Sequence, residues 1–278
     1  MTSGVGLGLR WELADELEAS DRELELPLLE VAPENYIGRA GRFEALLERM
    51  RERFPILSHG LSLSVGGHEP FEPSFLRSLR SFLDRVGAPH HSDHLCFGWV
   101  DGVNLHDLLP VVRTPDEVRR IADRIRHVQD ALGRPFAVEN VSAYLDPDGS
   151  TMPEPEFLTE LCAAADCRLL LDVNNLDVNA ENFGFDPFEW LTRAPLDRVI
   201  HMHVAGPDWV TLDDGSGLWV DSHGTAPKPR TLELLTAAVR RTGPVPVVLE
   251  WDTAIPPLQT LLAEVARVTQ SYTEGLGG

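Results

Sequence analysis

Cysteine is scarce in this chain of 278 residues: only Cys96, Cys162 and Cys167 occur. The count is odd and no C-x-x-C is present, which excludes a disulfide framework and a zinc knuckle. Cys162 and Cys167 read as small buried side chains, whereas Cys96 falls beside the candidate site described below. Long apolar runs are also missing. No stretch reaches the roughly 18–20 residues that a membrane helix needs, so no membrane partner is expected. The N-terminus, MTSGVGLGLRW, lacks the charged, apolar and small-residue regions of a signal peptide, which makes the cytoplasm the expected location. Positive charge is in deficit, with 24 Lys and Arg against 44 Asp and Glu and a formal net charge of −20. Such a surface repels phosphate backbones and argues against nucleic acid as a partner. Much of the excess sits in Glu12–Glu25, which reads as a solvated helix face and its following loop. Docking of a basic peptide is the second reading of that run.

No low-complexity segment or Ser/Gly linker divides the chain, so a single domain is expected. Short apolar runs alternate with amphipathic stretches throughout. Eight runs read as buried parallel strands: Val5–Leu9, Leu28–Ala32, Ile56–His59, His90–His94, Phe136–Glu139, Leu169–Val173, Val199–Val204 and Val245–Glu250. Their continuous apolar character suits strands covered on both faces. Helical periodicity fills the gaps. Phe43, Leu46, Leu47 and Met50 share one face, as do Val118, Ile121, Ile125, Val128 and Leu132. The latter stripe opens with Thr114-Pro115-Asp116-Glu117, an N-cap followed by Pro at the first helical position and Glu three residues after the cap. Eight strands with intervening helices predict a (β/α)₈ TIM barrel over about residues 4–270, followed by a short flexible tail. An open doubly wound sheet would carry a Gly-rich phosphate loop after its first strand, and Gly4-x-Gly6-x-Gly8 has the wrong third spacing for one.

What ends each strand carries the chemistry. Strand two closes with Glu30, Glu34 and Asn35, strand three with His59, strand four with Asp93 and His94, and strand five with Glu139 and Asn140. Strand six runs into Asp172, Asn174 and Asn175; strand seven carries His201 and His203; strand eight ends in Glu250 and Asp252. The loop after strand seven adds Asp221 and His223. In a TIM barrel all these ends face one mouth. Carboxylates gathered there would raise one another's pKa values unless cations neutralised them, so metal is the economical reading. Alternation places His201 and His203 on one side of their strand and sets Asp93 and His94 on opposite sides. His90 and His91 begin their strand and read as structural; His68, His106 and His127 read as non-ligands. Imidazoles, carboxylates and an amide suit Fe, Mn or Zn, and residue chemistry does not separate iron redox catalysis from metal-assisted hydrolysis or isomerisation.

At these residues the chain resembles the DUF692 family, the multinuclear non-haem iron-dependent oxidative enzymes. The resemblance spans nearly the whole chain. It rests on Pro33-Glu34-Asn35-Tyr36, Ser58-His59-Gly60-Leu61-Ser62-Leu63-Ser64, Ser92-Asp93-His94-Leu95, Asp107-Leu108-Leu109-Pro110, Glu139-Asn140, Leu171-Asp172-Val173-Asn174-Asn175, His203-Val204-Ala205-Gly206, Asp221-Ser222-His223-Gly224 and Glu250-Trp251-Asp252. It implies a TIM barrel with two or three irons of mixed Fe(II)/Fe(III) valence that use O₂ to modify ribosomally made peptides, often at cysteine. The positions matching the family's metal ligands are His59, His94, Glu139, Asp172, Asn174, His203, Asp221, His223 and Glu250. It further implies a ribosomal precursor peptide as substrate and a partner protein that recognises the leader peptide. This chain departs from the family in having Pro207 where a His usually follows Ala-Gly, and His201 where an acid or amide usually stands. His201 is the candidate general base. The rival readings are a redox-silent isomerase or phosphoesterase on the same metal-lined barrel and a non-catalytic iron-binding subunit.

Overall fold

In the computed structural model, which describes residues 2–20 and 24–278, the eight apolar runs form one closed barrel. Its strands are β1 (Gly4–Gly8), β2 (Leu29–Val31), β3 (Ile56–Gly60), β4 (His91–His94), β5 (Phe136–Glu139), β6 (Arg168–Asp172), β7 (Val199–Val204) and β8 (Pro246–Leu249). Each pairs in parallel with its sequence neighbours, and β1 closes the ring on β8 with Gly4 opposite Pro246 through Leu7 opposite Leu249. The chain is thus a single-domain TIM barrel.

Strand alternation sorts the side chains into two cores. One set packs outward against the helices and merges into a large apolar cluster. Inside the barrel, Leu28, Leu57 and Val248 form a small cluster of their own. Two residues further along the same strands, on the same inward face, stand Glu30, His59 and Glu250. The barrel therefore holds an apolar floor with a polar layer directly above it. Gly6 makes room for this floor: a Cβ there would lie 2.4 Å from the Leu28 carbonyl oxygen.

The outer helices follow from their stripes. Pro115–Leu132 begins as expected, the Thr114 hydroxyl accepting from the Glu117 amide at 3.2 Å, and it ends on Gly133 in the left-handed conformation. Its Val118, Ile121, Ile125, Val128 and Leu132 are all buried, each stabilising the fold by ~1.5–3 kcal/mol. In Arg42–Arg51, Leu46, Leu47 and Met50 are buried, but Phe43 stacks on Trp11 at the surface with ring centroids 4.6 Å apart. The expected flexible tail after residue 270 is corrected. The last helix runs Leu258–Gly275, because Tyr272 is buried and Gly275 packs against Val239 of the preceding helix, Pro229–Thr242.

Of the acidic run Glu12–Glu25, residues 21–23 lie outside the described residues. Asp15 and Glu18 pair with Arg42, Glu18 also with Arg49, and Glu16 accepts from the Leu258 amide at 2.9 Å. These acids are occupied by the protein itself. Two hairpins rise beyond the strand ends. The first pairs Cys96–Val100 with Val103–Pro110, and the second pairs Asp208–Thr211 with Gly217–Val220. Among the described residues no helix is long and apolar enough to cross a membrane.

Candidate metal centre

The strand ends bring the nine expected ligand positions into one contiguous cluster. Glu139, at the end of β5, sits centrally: its Oε2 lies 3.2 Å from His59 Nε2 and 3.5 Å from His94 Nε2, and its Oε1 lies 3.6 Å from His203 Nδ1. His203 Nδ1 is also 2.9 Å from Glu250 Oε2, which in turn lies 3.5 Å from His223 Nδ1. His223 Nε2 meets Asp221 Oδ1 at 2.7 Å, and Asn174 Nδ2 donates to the same oxygen at 2.7 Å. Asp172 Oδ2 faces His223 Nε2 at 4.0 Å. Glu139, Asp172, His203 and Glu250 each offer one atom within 4.8 Å of all the others.

Local structure explains why these side chains point inward. Asp172 ends β6 and caps the helix Val173–Phe183; its Oδ1 accepts from the amides of Asn174 and Asn175 at 2.6 and 2.9 Å. The cap begins one residue earlier than the expected end of strand six, so Val173 is helical. Asn140 joins the ends of β5 and β6, its side-chain amide bonding both backbone groups of Asp172. His94 faces the cluster, whereas Asp93 points the other way and accepts from the Leu63 amide at 3.0 Å. His59 is backed by Ser92, whose hydroxyl lies 3.0 Å from its Nδ1.

Electrostatics mark the cluster as incomplete without cations. Burial and the neighbouring Glu139 push the Asp172 carboxyl up to about 8. Burial alone would depress His94 and His203. Glu139 raises His94 to about 9 in spite of it, and Glu250 and Glu30 raise His203 well above the imidazole range. His59 goes the other way, pushed well down by burial and by His94. The short distances around His203 are charge attraction rather than aligned hydrogen bonds: neither of its nitrogens has a hydrogen-bond partner, although carboxylate oxygens lie 2.9 Å from each. Buried Glu30 Oε2, Glu139 Oε2, Asp172 Oδ2 and His223 Nε2 likewise lack one. An unsatisfied buried polar group costs ~1–3 kcal/mol, so so many converging lone pairs fit bound metal ions. The donors are nitrogen and oxygen. Among the described residues the donor groups contain only His, Asp and Glu, which matches hard to borderline divalent metals.

His201 shares a group of donor atoms with Glu30 and His203, all within 4.8 Å of one another. It is fully buried on β7, two residues and roughly 6.6 Å below His203, with Nε2 3.2 Å from Glu30 Oε2 and Nδ1 3.1 Å from His90 Nε2. It lines neither cavity at the mouth, whereas its neighbour Glu30 lines one of them. Glu30 belongs to the centre although it is absent from the expected ligand set; its Oε1 lies 2.9 Å below His203 Nε2. Its place two residues after Leu28 on an inward face was the available signal. Asp252 also joins, 3.2 Å from His223 Nδ1 and clamped by Arg10 Nε at 2.8 Å. Above the cluster opens a cavity of about 480 Å³, floored by His94, Glu139, Asp221 and His223 and walled by Trp99 and His106 of the first hairpin.

The sequence model of one family, the RiPP precursor modification enzymes MbnB/TglH/ChrH, matches residues 4–273. This chain belongs to that family. The MbnB/TglH/ChrH family is one of enzymes that modify ribosomally made precursor peptides, which makes such a peptide the substrate class implied here. Among relatives, a UPF0276 protein of Pseudomonas aeruginosa is 43% identical over 268 residues, covering 96% of this chain and 92% of that protein. A UPF0276 protein of Caulobacter vibrioides is 40% identical over 275 residues, covering 99% and 96%. Among solved structures, a xylose isomerase-like TIM-barrel protein from Mycobacterium smegmatis, in complex with magnesium, superposes with a TM-score of 0.63 at 12% identity, covering 99% and 98%. That likeness shows the fold alone.

Proposed function

We propose that this member of the MbnB/TglH/ChrH family is an iron-dependent, O₂-using oxidase that modifies a ribosomal precursor peptide in the cytoplasm, at cysteine or another specific residue. The observation that carries the reading is the convergence of Glu139, Asp172, His203 and Glu250 within 4.8 Å with donor atoms left unpaired. Two or three irons would be held by His59, His94, Glu139, Asp172, Asn174, His203, Asp221, His223 and Glu250, with Glu30 beneath them. Iron bound there supplies the redox chemistry and O₂ activation, which no protein side chain provides.

The residues of the chain supply position and charge. Asp172 is fixed by its two amide bonds, so only Oδ2 is left to face the mouth. Arg10 binds Asp252 and lies 3.6 Å from Glu250, holding both carboxylates at one edge. Ser142 donates to Asp221 Oδ2 at 3.1 Å, leaving Oδ1 toward His223. His201, 3.2 Å from Glu30 beneath the mouth, steadies that carboxylate and stays the candidate base. The first hairpin, whose Trp99 walls the mouth, exposes Trp99, Val103 and Leu105, and the second hairpin exposes Trp209 and Leu212, apolar surface of the kind that receives a peptide or a leader-recognising partner protein.

The test is anaerobic purification with Fe(II), iron quantitation, and incubation under O₂ with the short peptide encoded beside the gene and any adjacent partner, read by mass spectrometry. A mass change that requires both Fe(II) and O₂ is expected. Turnover with Zn(II) in the absence of O₂ would replace this reading with redox-silent hydrolysis or isomerisation. Stoichiometric iron with an unmodified peptide would reduce the chain to an iron-binding subunit.

A further inference from the structure

Behind the first hairpin lies a second cavity of about 550 Å³, larger than the mouth. The two meet back to back at two short stretches of chain. Leu95 and Val141 line the rear cavity, while their chain neighbours Cys96 and Ser142 line the mouth. Adjacent Cα atoms stand about 3.8 Å apart, so a single layer of backbone divides them. A chain seated at the mouth reaches the rear cavity by crossing that ridge.

Chemically the rear cavity is unlike the mouth. Phe157, Phe185 and Trp190 give it an apolar interior, and the exposed side chains of Leu145 and Phe183 stand at its rim. Its charges do not balance. Both lining guanidiniums are already engaged: Arg113 binds Asp146 at 2.6 Å and the Met152 carbonyl, and Arg193 binds Glu156 at 2.6 Å. Against these two cations the lining sets four carboxylates, Asp146, Glu154, Asp186 and Glu189. Glu154 is the most enclosed. Its Oε2 accepts from Trp190 Nε1 at 3.0 Å, and burial pushes its carboxyl above the usual range despite Arg113 and that bond. An incoming cation would relieve it, whereas an incoming anion would be repelled. Charged or polar small molecules lack the apolar bulk to fill the rest, and nucleic acid carries the wrong charge.

We infer that the rear cavity is a specificity subsite of the peptide-modifying enzyme, taking a bulky apolar side chain with a lysine or arginine beside it while another residue of the same peptide occupies the mouth. The inference rests on the proposed peptide substrate, but its test does not need turnover. The probes are acetyl-Phe-Lys-amide, acetyl-Phe-Glu-amide and acetyl-Ser-Lys-amide, titrated into the full chain in chelator and followed by ligand-observed NMR. The Phe-Lys probe is expected to bind at least ~10-fold more tightly than either of the others, a difference of ~1.4 kcal/mol. Glu154→Gln, which keeps an acceptor for Trp190, should abolish the preference for Lys over Glu. Leu145→Ser, at an exposed rim position where folding is insensitive, should weaken the Phe-Lys probe and leave the Ser-Lys probe unchanged. Equal binding of the three probes, or a Lys preference that survives Glu154→Gln, would overturn the subsite. A retained preference in a protein that fails to oxidise peptides would sink the proposed oxidase and leave the subsite standing.

Discussion

Stripping the metals should make the protein's stability fall as pH rises through neutrality. In the metal-free fold, burial and Glu139 lift Asp172 to about 8; His94 reaches about 9 because Glu139 outweighs burial; His203 and His223 are also raised against burial, by Glu250 and Asp221. Unfolded, these groups return to roughly 4 for the carboxyl and 6.5 for imidazole. For the histidines, the stabilisation is complete below the unfolded value and is lost as pH climbs through the folded one. For Asp172, the penalty of ionising in place grows from about pH 4 to about pH 8. Both effects have the same sign between about pH 7 and 8. The buried histidines with depressed values, His59, His90, His91 and His201, act only below about 6.5, and the depressed carboxyls Glu30, Asp221 and Asp252 act lower still. Each proton held by the folded state alone is worth ~1.4 kcal/mol per pH unit, so Asp172 and His94 together give a loss of about 2 kcal/mol across that one unit. Bound cations displace these protons, so the loaded protein should show a flat or rising profile. Urea midpoints across the window, in chelator and in anaerobic Fe(II), measure the difference. A chelated protein whose midpoint holds steady or climbs would refute the reasoning.

Three further outcomes follow from individual contacts. Glu30→Gln removes the charge 2.9 Å below His203 Nε2 and should lower metal affinity by roughly 10–100-fold, seen as metal lost to a competing chelator with circular dichroism unchanged; full retention would remove Glu30 from the centre. Gly206→Ala would place a Cβ 2.3 and 2.4 Å from the carbonyl oxygens of Thr225 and Ala226, displacing the loop that carries Asp221 and His223, so metal content and thermal midpoint should drop together. Thr114→Ala removes a helix cap that touches none of the metal-site residues and should cost ~1 kcal/mol in urea denaturation with metal content intact.

How legible each part was depended on how far its physics is local. Phe136–Glu139 and Val199–Val204 end where the sequence predicts, because a strand buried on both faces is apolar from end to end. The hairpins are only partly buried: Cys96 is buried and Phe97 packs on the core, but Trp99 and Val100 are exposed, so Cys96–Val100 does not read as a barrel strand. Their local signs are Asp-Gly pairs: Asp101-Gly102, at φ 50° and 76°, a pair favoured in two-residue hairpin loops, and Asp214-Gly215 in the longer second turn. Ligand positions could be read from strand ends because the barrel sends every strand C-terminus to one rim. Depth within the barrel could not. His201 and His203 look equivalent on paper, and only the layer below His203, where Glu30 and His90 lie, separates them. The acids of the N-terminal run found partners in Arg42, Arg49 and the Leu258 amide, up to 242 residues away, a distance no periodicity reports.

Asp172 divides its two oxygens between a helix and the mouth, and this ties secondary structure to coordination. Because one oxygen is immobilised by backbone amides before any ion arrives, the carboxylate cannot swing to suit cations of different radius. A site anchored in this way discriminates among metals through the stiffness of a helix end, and loosening that first turn would broaden the range of ions accepted even with every ligand retained.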